Sequence, residues 1–270
     1  MYLYIYQGLK MNLHRVFAIV IRHYFTAIHQ LERFFDVLIS PVLMIVLWGF
    51  LSTYIQGLNT PTLASFLLGG IILWAIFEKV GTDIGVNFMF DIWDRNFINV
   101  MSTPITFVEY LAGLITVSFI KIILTFLSMW LISSIFYGFQ ITSLGFGVVL
   151  FALNLFIFAT SFGIFNISLV LRFGHSIGPL TWILPFFVQP FAAVFYPISV
   201  LPDFFQKIAY FIPISHVFEG MRTVIQTGQF STEQFWTALI LNLVYLIASI
   251  SFFSFILRRV LKSGRLIKVI

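Results

Sequence analysis

Cysteine is absent from this 270-residue sequence, and charged residues make up only 9% of it. Without cysteine, the chain can form no disulfide, no thiolate metal site and no cysteine nucleophile. No Gly-Lys pair occurs either, which excludes the G-x-x-x-x-G-K-[S/T] loop that binds nucleotide phosphates. Apolar residues dominate instead: 60% are hydrophobic, 35 are Phe, and the mean hydropathy is +1.02. Because soluble domains carry roughly a quarter charged residues, this composition indicates an integral membrane protein.

Six apolar segments are long enough to cross a bilayer, whose hydrocarbon core of roughly 30 Å needs about 20 helical residues. They predict an all-α membrane protein that forms one domain over residues 1–270. The predicted spans are 37–55, 63–90, 107–137, 141–171, 177–200 and 235–257.

Lys and Arg are distributed unevenly between the two sets of connections that alternate across the bilayer. The set that includes both chain ends contains Lys10, Arg15, Arg22, Arg33, Arg95, Arg172, Arg258, Arg259, Lys262, Arg265 and Lys268. The opposite set contains only Lys207 and Arg222. By the positive-inside rule, we expect a multi-pass protein of the cell (plasma) membrane with both termini in the cytoplasm. The net charge of +5 is thus a topology signal, and we expect no nucleic-acid partner.

Residues 11–33 are too polar to span a membrane but have helical periodicity. The apolar positions are Leu13, Val16, Phe17, Val20, Tyr24, Ala27 and Leu31, and the polar positions opposite them are Arg15, Arg22, Thr26, His29 and Arg33. This pattern predicts an amphipathic helix that lies along the cytoplasmic leaflet. We expect His14, His23 and His29 to be surface residues at the level of the headgroups.

The segment 177–200 is rich in proline, and each proline removes a backbone donor. Its prolines are Pro179, Pro185, Pro190 and Pro197. A kinked or broken span packed against its neighbours is one expectation. An ordinary proline-tolerant transmembrane helix is the alternative.

The external segment 201–230 is largely apolar and is interrupted at Pro213. It predicts two short amphipathic helices that form a hairpin dipping back into the outer leaflet, with Lys207 and Arg222 at the surface.

Local sequence also predicts how these helices begin and end. Ser215 can cap the second helix and Gly228 can end it. Ser231 and Gln234 fit a capping box at the start of the last span. We expect His216 to serve helix packing.

Charged residues occur within the second predicted span, where insertion of each charge costs a few kcal/mol. Lys79, Asp83, Asn87 and Asp91 are spaced by four and share one face, so Lys79 can pair with Asp83. Glu78, Lys79 and Asp83 lie deepest. Two interpretations remain open: they line a translocation pathway, or Glu78 or Asp83 neutralises Lys79 or Lys121 to hold the bundle together.

Two further patterns fall in connections between the spans. The 91–106 connection contains Asp94-Arg95-Asn96-Phe97-Ile98-Asn99-Val100-Met101-Ser102-Thr103-Pro104-Ile105-Thr106, followed by Glu109 and Gly113. Before the last span come Tyr196-Pro197, Leu201-Pro202 and Pro213-Ile214-Ser215-His216-Val217-Phe218-Glu219-Gly220-Met221-Arg222. With the six-span architecture, these patterns are similar to the transmembrane (permease) subunit of the type-2 family of ATP-binding-cassette exporters over nearly the whole chain.

The resemblance implies that the 91–106 connection couples the permease to an ATPase. The residues with this implied role are Asp94, Arg95, Asn96, Phe97, Ile98, Met101, Thr103 and Pro104. Many members carry Gly-Thr-Leu-Glu where this chain has Asn96-Phe97-Ile98-Asn99, so Phe97 or Ile98 would be the apolar knob that enters an ATPase groove. The matching residues of the external hairpin are Pro202, Pro213, Glu219, Gly220 and Arg222.

The resemblance also implies a set of partners. They are a cytoplasmic ATP-binding-cassette ATPase that binds ATP and Mg²⁺, a second copy of this chain or a related permease, and the lipid bilayer. This chain itself would bind no cofactor or metal and would not be an enzyme. Amphipathic drug-like molecules, lipids and glycans are all possible cargo, with a lean toward a small amphipathic or lipid-like molecule. An alternative is a polysaccharide or lipid-linked glycan exporter.

A function of another class also fits the carboxylates between Glu78 and Asp94. An integral membrane enzyme could hold a divalent ion there, since hard cations take carboxylate ligands. Asp91 and Asp94 form only one pair without a third carboxylate nearby, and a solvated helix end explains them more simply.

Overall fold

The computed structural model describes residues 11–30, 33, 35–58 and 61–263, and the account below concerns these residues. They contain α-helices and short 3₁₀ and π turns without any strand, which confirms the all-α prediction. In chain order the helices are α1 (Leu13–His29), α2 (Ser40–Gly57), α3 (Pro61–Trp93), α4 (Phe97–Met101), α5 (Phe107–Tyr137), α6 (Gly147–Phe173), α7 (Gly178–Val188), α8 (Asp203–Tyr210), α9 (Pro213–Thr227) and α10 (Thr232–Lys262). A π-helical turn, Phe35–Ile39, leads directly into α2.

Within the described ranges, five helices are long and apolar enough to cross a membrane. They are Phe35–Gln56, Thr62–Trp93, Phe107–Tyr137, Gly147–Phe173 and Thr232–Lys262. Each overlaps one of the six predicted spans, although the fourth begins at Gly147 because residues 141–144 form a separate 3₁₀ turn. The remaining predicted span, 177–200, is not one continuous helix.

Proline chemistry explains the interruption of the 177–200 segment. The 11-residue helix α7 contains Pro185 and ends at Val188, and Pro190 lies in the 3₁₀ turn that follows. Ala193 then adopts a left-handed backbone with φ of 55°, which ends any helical path. The segment therefore has the broken form that its prolines favour.

The central element of the bundle is α3, which packs against α2, α5, α6 and α7. Its most apolar window is 72% buried, compared with 22% for α10. Small residues permit this close packing: a Cβ on Gly163 of α6 would lie 2.7 Å from Ile84. Close approach of backbones and interhelical hydrogen bonds are the main sources of helix association in lipid. One such bond joins α10 to α6, where the Asn242 amide donates to the Asn154 side chain at 2.8 Å.

The helix α1 docks on the first half of α5. Its Ile19 fits over Gly113, where a Cβ would lie 2.7 Å away. A capping box formed by Thr106 and Glu109 starts α5. The Glu109 carboxylate also accepts a hydrogen bond of 2.9 Å from the Asn12 backbone N–H at the start of α1. Predicted position Leu31 lies outside the described residues, and the place of α1 on a membrane surface stays a prediction.

Two of the predicted helix caps are wrong. The Ser231 side chain makes no capping hydrogen bond, and the Gln234 side chain, the other half of the predicted box, accepts from the His216 imidazole at 2.7 Å. Ser215 does not cap α9, since its hydroxyl donates back to the carbonyls of residues 209 and 212. Gly228 does end α9, with a left-handed φ of 72°.

Candidate functional site: the charged face of α3 and the α4 connection

A charged contact of α1 with the bundle centres on Asp91, which is only 6% exposed. Its carboxylate accepts hydrogen bonds from the Tyr110 hydroxyl of α5 and from the Arg22 guanidinium of α1. The His23 imidazole lies 3.0 Å from Arg22. Burial, and then the charge of Arg22, lower the pKa of His23 to about 3, so the ring is neutral at physiological pH. We call Arg22, His23, Asp91 and Tyr110 the basal cluster.

The basal cluster corrects three expectations. Arg22 was placed on the exposed face of the N-terminal helix, yet it is half-buried and turned toward α3. His23 was expected at the surface but is 4% exposed. Asp91 was assigned to a solvated helix end, although two helices enclose it. The physical reason is common to all three: an isolated carboxylate within the bundle requires a cation and a donor to lower its desolvation cost.

Farther along α3, Asp83 and Lys79 each have a partner on another element. Asp83 forms an ion pair with Lys121 of α5 and accepts a hydrogen bond of 2.5 Å from Ser118. Lys79 donates to Asp36 at 2.8 Å and to Ser40 at 3.2 Å. The expected pairing of Lys79 with Asp83 is therefore wrong. A cation that precedes its carboxylate by four residues has the weaker helical orientation, and partners across the bundle replace it.

Glu78 differs from these residues. Its side chain is half-buried near the middle of α3, with Lys79 and Asp36 as its electrostatic neighbours. Within the part of the chain that the structure describes, its carboxylate takes part in no hydrogen bond or ion pair. One turn away, the Thr82 hydroxyl is buried and also lacks a partner. This part of α3 therefore has polar groups with unused hydrogen-bonding capacity.

The α4 connection turns back at Arg95, whose backbone is left-handed with φ of 54°. Phe97 follows and is 1% exposed, with ring centroids 5.2 Å from Phe88 and 5.8 Å from Tyr110. Phe97 is therefore a core residue and not an apolar knob on the surface. Ile98, which is 42% exposed, is the apolar side chain that α4 leaves open.

The other residues of this connection that the family resemblance singles out divide into two groups by their exposure. Asp94, Arg95, Thr103 and Pro104 are exposed, whereas Asn96 and Met101 are partly buried. Because Phe97 contacts Tyr110, and Tyr110 donates to Asp91, α4 is joined to the basal cluster by direct contacts.

The 201–230 segment, predicted to be an external hairpin, is built around a buried arginine. Arg222 is 5% exposed, pairs with Glu219 at 3.1 Å, and donates to the carbonyls of Ala193 and Val194. The Glu219 carboxylate also accepts a hydrogen bond of 2.7 Å from the backbone N–H of Ile198. The expectation that Arg222 lies at the surface is wrong, because these carbonyls lost helical partners where α7 breaks.

The remaining hairpin residues matched in the sequence serve backbone geometry. Pro202 precedes α8, and its carbonyl accepts from the N–H of Phe205 at 2.8 Å. Pro213 is the first residue of α9. A Cβ on Gly220 would lie 2.8 Å from the ring of Phe151, so only glycine permits this approach of α9 to α6.

Sequence reasoning missed several members of the site. Tyr110, Ser118 and Asp36 were not singled out, although each is a polar residue in or next to an apolar span. Such residues usually face the bundle interior, and that rule was the signal that could have found them. Among the described residues, no group of three or more His, Asp or Glu side chains is placed to hold a metal ion.

Among the described residues, five helices long and apolar enough to cross a membrane, with ion pairs inside the bundle, are the features of a multi-pass membrane protein. The model of the ABC-2 type transporter family matches residues 14–225, from α1 to the end of α9. The chain belongs to this family and is a membrane permease subunit of an ATP-binding-cassette transporter. No curated protein matches it.

Proposed function

We propose that this permease is the conduit of an ATP-driven exporter. It pairs with a second copy of itself or a related permease, and a separate cytoplasmic ATPase that binds ATP and Mg²⁺ supplies the energy. Membership of the ABC-2 type transporter family supports this division of labour, and the missing Gly-Lys pair agrees with an ATP site on another chain.

The proposed topology has six crossings, with the broken 177–200 segment and its hairpin completing the sixth, and both termini in the cytoplasm of a plasma-membrane protein. The unequal distribution of Lys and Arg supports it. Because the chain has no natural cysteine, single Cys substitutions give unambiguous labels. An impermeant maleimide applied to intact cells should label Lys207→Cys and spare Lys262→Cys. The reverse pattern would overturn the topology.

The polar groups without partners on α3 carry the proposal of a pathway. Glu78 has no partner among the described residues, and a charge at membrane depth is usually retained for an ion or substrate path. We assign to Glu78 a contact with a polar group of the cargo, with Lys79 beside it. Asp83, by contrast, is committed to Lys121 and Ser118, which favours the structural interpretation for that residue.

The proposed cargo is a small amphipathic or lipid-like molecule that carries a polar headgroup. Transport into inside-out proteoliposomes tests this assignment: ATP should drive uptake of an amphipathic fluorescent amine. ATP-dependent uptake of a lipid-linked glycan instead would support the alternative of a polysaccharide or lipid-linked glycan exporter.

The proposed docking surface for the ATPase is the exposed side of the α4 connection. Ile98 supplies an apolar contact, and Asp94 and Arg95 supply charges beside it. The buried or partly buried residues of the connection, Asn96, Phe97 and Met101, hold it against the bundle. The exposed Thr103 and Pro104 extend the docking surface.

Co-purification tests the docking surface. Wild-type permease from its own cells should bring down a protein that carries the G-x-x-x-x-G-K-[S/T] loop and hydrolyses ATP. Ile98→Asp should abolish this association, whereas Phe204→Asp, at an exposed Phe of α8, should leave it intact. A full complement of ATPase on the Ile98 variant would refute docking at α4, and no ATPase on the wild type would refute the exporter itself.

A further inference from the structure

A groove with a cavity volume of about 280 Å³ lies between α1 and the middle of α5, beside the basal cluster. Its walls include Ile28, Ile120 and Leu124, which are 56%, 45% and 48% exposed. Two cationic side chains, Arg33 and Lys121, line it as well, and none of the described residues that line it is acidic. The groove is thus apolar along its length and positively charged at one place.

Arg33 is the cation of the groove whose hydrogen-bond donors are not all used. One of its terminal nitrogens donates to Asn87 at 3.2 Å, and its guanidinium lies 5.0 Å from the ring centroid of Phe90. Its Nε is buried and has no hydrogen-bond partner among the described residues. A buried donor without a partner costs about 1 to 3 kcal/mol, more on a charged group, so an acceptor that reaches it would be bound.

Three carboxylates, Asp91, Asp83 and Asp94, act on Arg33 electrostatically, but none of them lines the groove, and Asp91 and Asp83 are already paired with Arg22 and Lys121. Lys121 already pairs with Asp83, which lies behind it on α3. The His23 ring is neutral, because burial lowers its pKa to about 3. An incoming anion would therefore meet Arg33 first, with Lys121 beside it.

We propose that this groove binds an anionic phospholipid of the cytoplasmic leaflet. The phosphate accepts a hydrogen bond from Arg33, and one acyl chain lies along Ile120 and Leu124 of α5, against Ile28 of α1. Basic pockets between transmembrane helices on the cytoplasmic side suit anionic headgroups, and guanidinium suits phosphate geometrically. The inference rests on the proposed topology, which places α1 at that leaflet.

Native mass spectrometry of the purified permease, titrated with phosphatidylglycerol or with phosphatidylcholine, tests the site. We expect wild-type protein to retain phosphatidylglycerol preferentially. Arg33→Gln should weaken that retention about tenfold, the size expected when one charge-assisted hydrogen bond is lost. Ile120→Trp keeps every charge but fills the groove, and it should weaken retention similarly. Lys262→Gln, which removes an exposed charge at the end of α10, should have no effect.

Three outcomes would overturn the proposal. Both groove variants could retain phosphatidylglycerol like the wild type, phosphatidylcholine could bind equally well, or inorganic phosphate could displace the lipid while Ile120→Trp binds normally. The last result would indicate a site for free anions. The measurement needs no ATPase and no cargo, so its failure is distinct from failure of the exporter assignment. Maleimide labelling separately reports the side on which α1 lies.

Discussion

The charged face of α3 has two halves whose charges are satisfied in different ways. On the side of Glu78 toward Trp93, Asp83 and Asp91 each accept from two side chains, and all four partners come from α1 or α5. Near the middle of the helix, Glu78 lacks a partner among the described residues, and Lys79 relies on Asp36, which is 57% exposed. Since a buried charge is usually tolerated only when it is paired or used, the first half holds helices together, and the second contains the carboxylate that we propose contacts cargo.

The largest expected effect follows from Asp91→Asn. The substitution removes the negative charge opposite Arg22 while keeping the shape of the side chain. Breaking one side of a buried ion pair costs roughly 3 to 5 kcal/mol in the free energy of unfolding, and a lower midpoint of thermal unfolding in detergent should report it. Asp94→Asn makes the same change at an exposed site three residues away and should unfold like the wild type. Equal unfolding midpoints for the two variants would contradict the interpretation that Asp91 holds helices together.

Asp83→Asn should have a smaller effect, about 2 to 3 kcal/mol, because the Asp83 and Lys121 side chains are 13% and 18% exposed and an amide can still accept from Ser118. The double variant Asp83→Asn with Lys121→Met removes both charges and should recover most of the loss. A double variant less stable than the single one would show that the pair is not the source of the effect.

His23 predicts a modest dependence of stability on pH. Its folded pKa of about 3 lies below the ordinary value of 6.5, so between these values the unfolded chain binds more protons. Its contribution is therefore complete above pH 6.5 and is lost as the pH falls toward 3, at no more than about 1.4 kcal/mol per pH unit. The unfolding midpoint should fall less between pH 7.5 and 5 in His23→Gln than in the wild type. His29→Gln, at an exposed ring, should leave the wild-type slope unchanged.

The smallest effect on stability, and the sharpest test of the comparison, is expected for Glu78→Gln. With no partner to lose, the variant should unfold within about 0.5 kcal/mol of the wild type. Its ATP-driven transport should nevertheless fall several-fold, measured in proteoliposomes. Glu233→Gln at the exposed start of α10 should alter neither property. Loss of stability without any specific change in transport would move Glu78 into the structural half.

Sequence alone could predict what depends on composition and local chemistry. Apolar length and periodicity give the helices, four prolines favour the interruption after Val188, and Gly228 ends α9. The family could be recognised because its motifs are linear.

Sequence could not predict contacts that depend on the angular position of neighbouring helices. Nothing in the five-residue helix α4 states which side faces the bundle, so Phe97 and Ile98 were equal candidates for the exposed position. The sequence around Gln234 matches a local capping motif, but the Gln234 side chain forms a hydrogen bond with His216 of another helix instead. Lys79 has a carboxylate one turn away and still pairs with Asp36.

The hydrogen bonds that Arg222 donates to the carbonyls of Ala193 and Val194 affect how this part of the protein can move. The Arg222 guanidinium takes the place of backbone hydrogen bonds that the broken 177–200 segment lacks. The Glu219 carboxylate contacts the same segment by accepting from the N–H of Ile198. Through these bonds, residues 193–198 are tied to α9. We expect a displacement of α9 to carry residues 193–198 with it, so that the helix and this stretch would move as one unit.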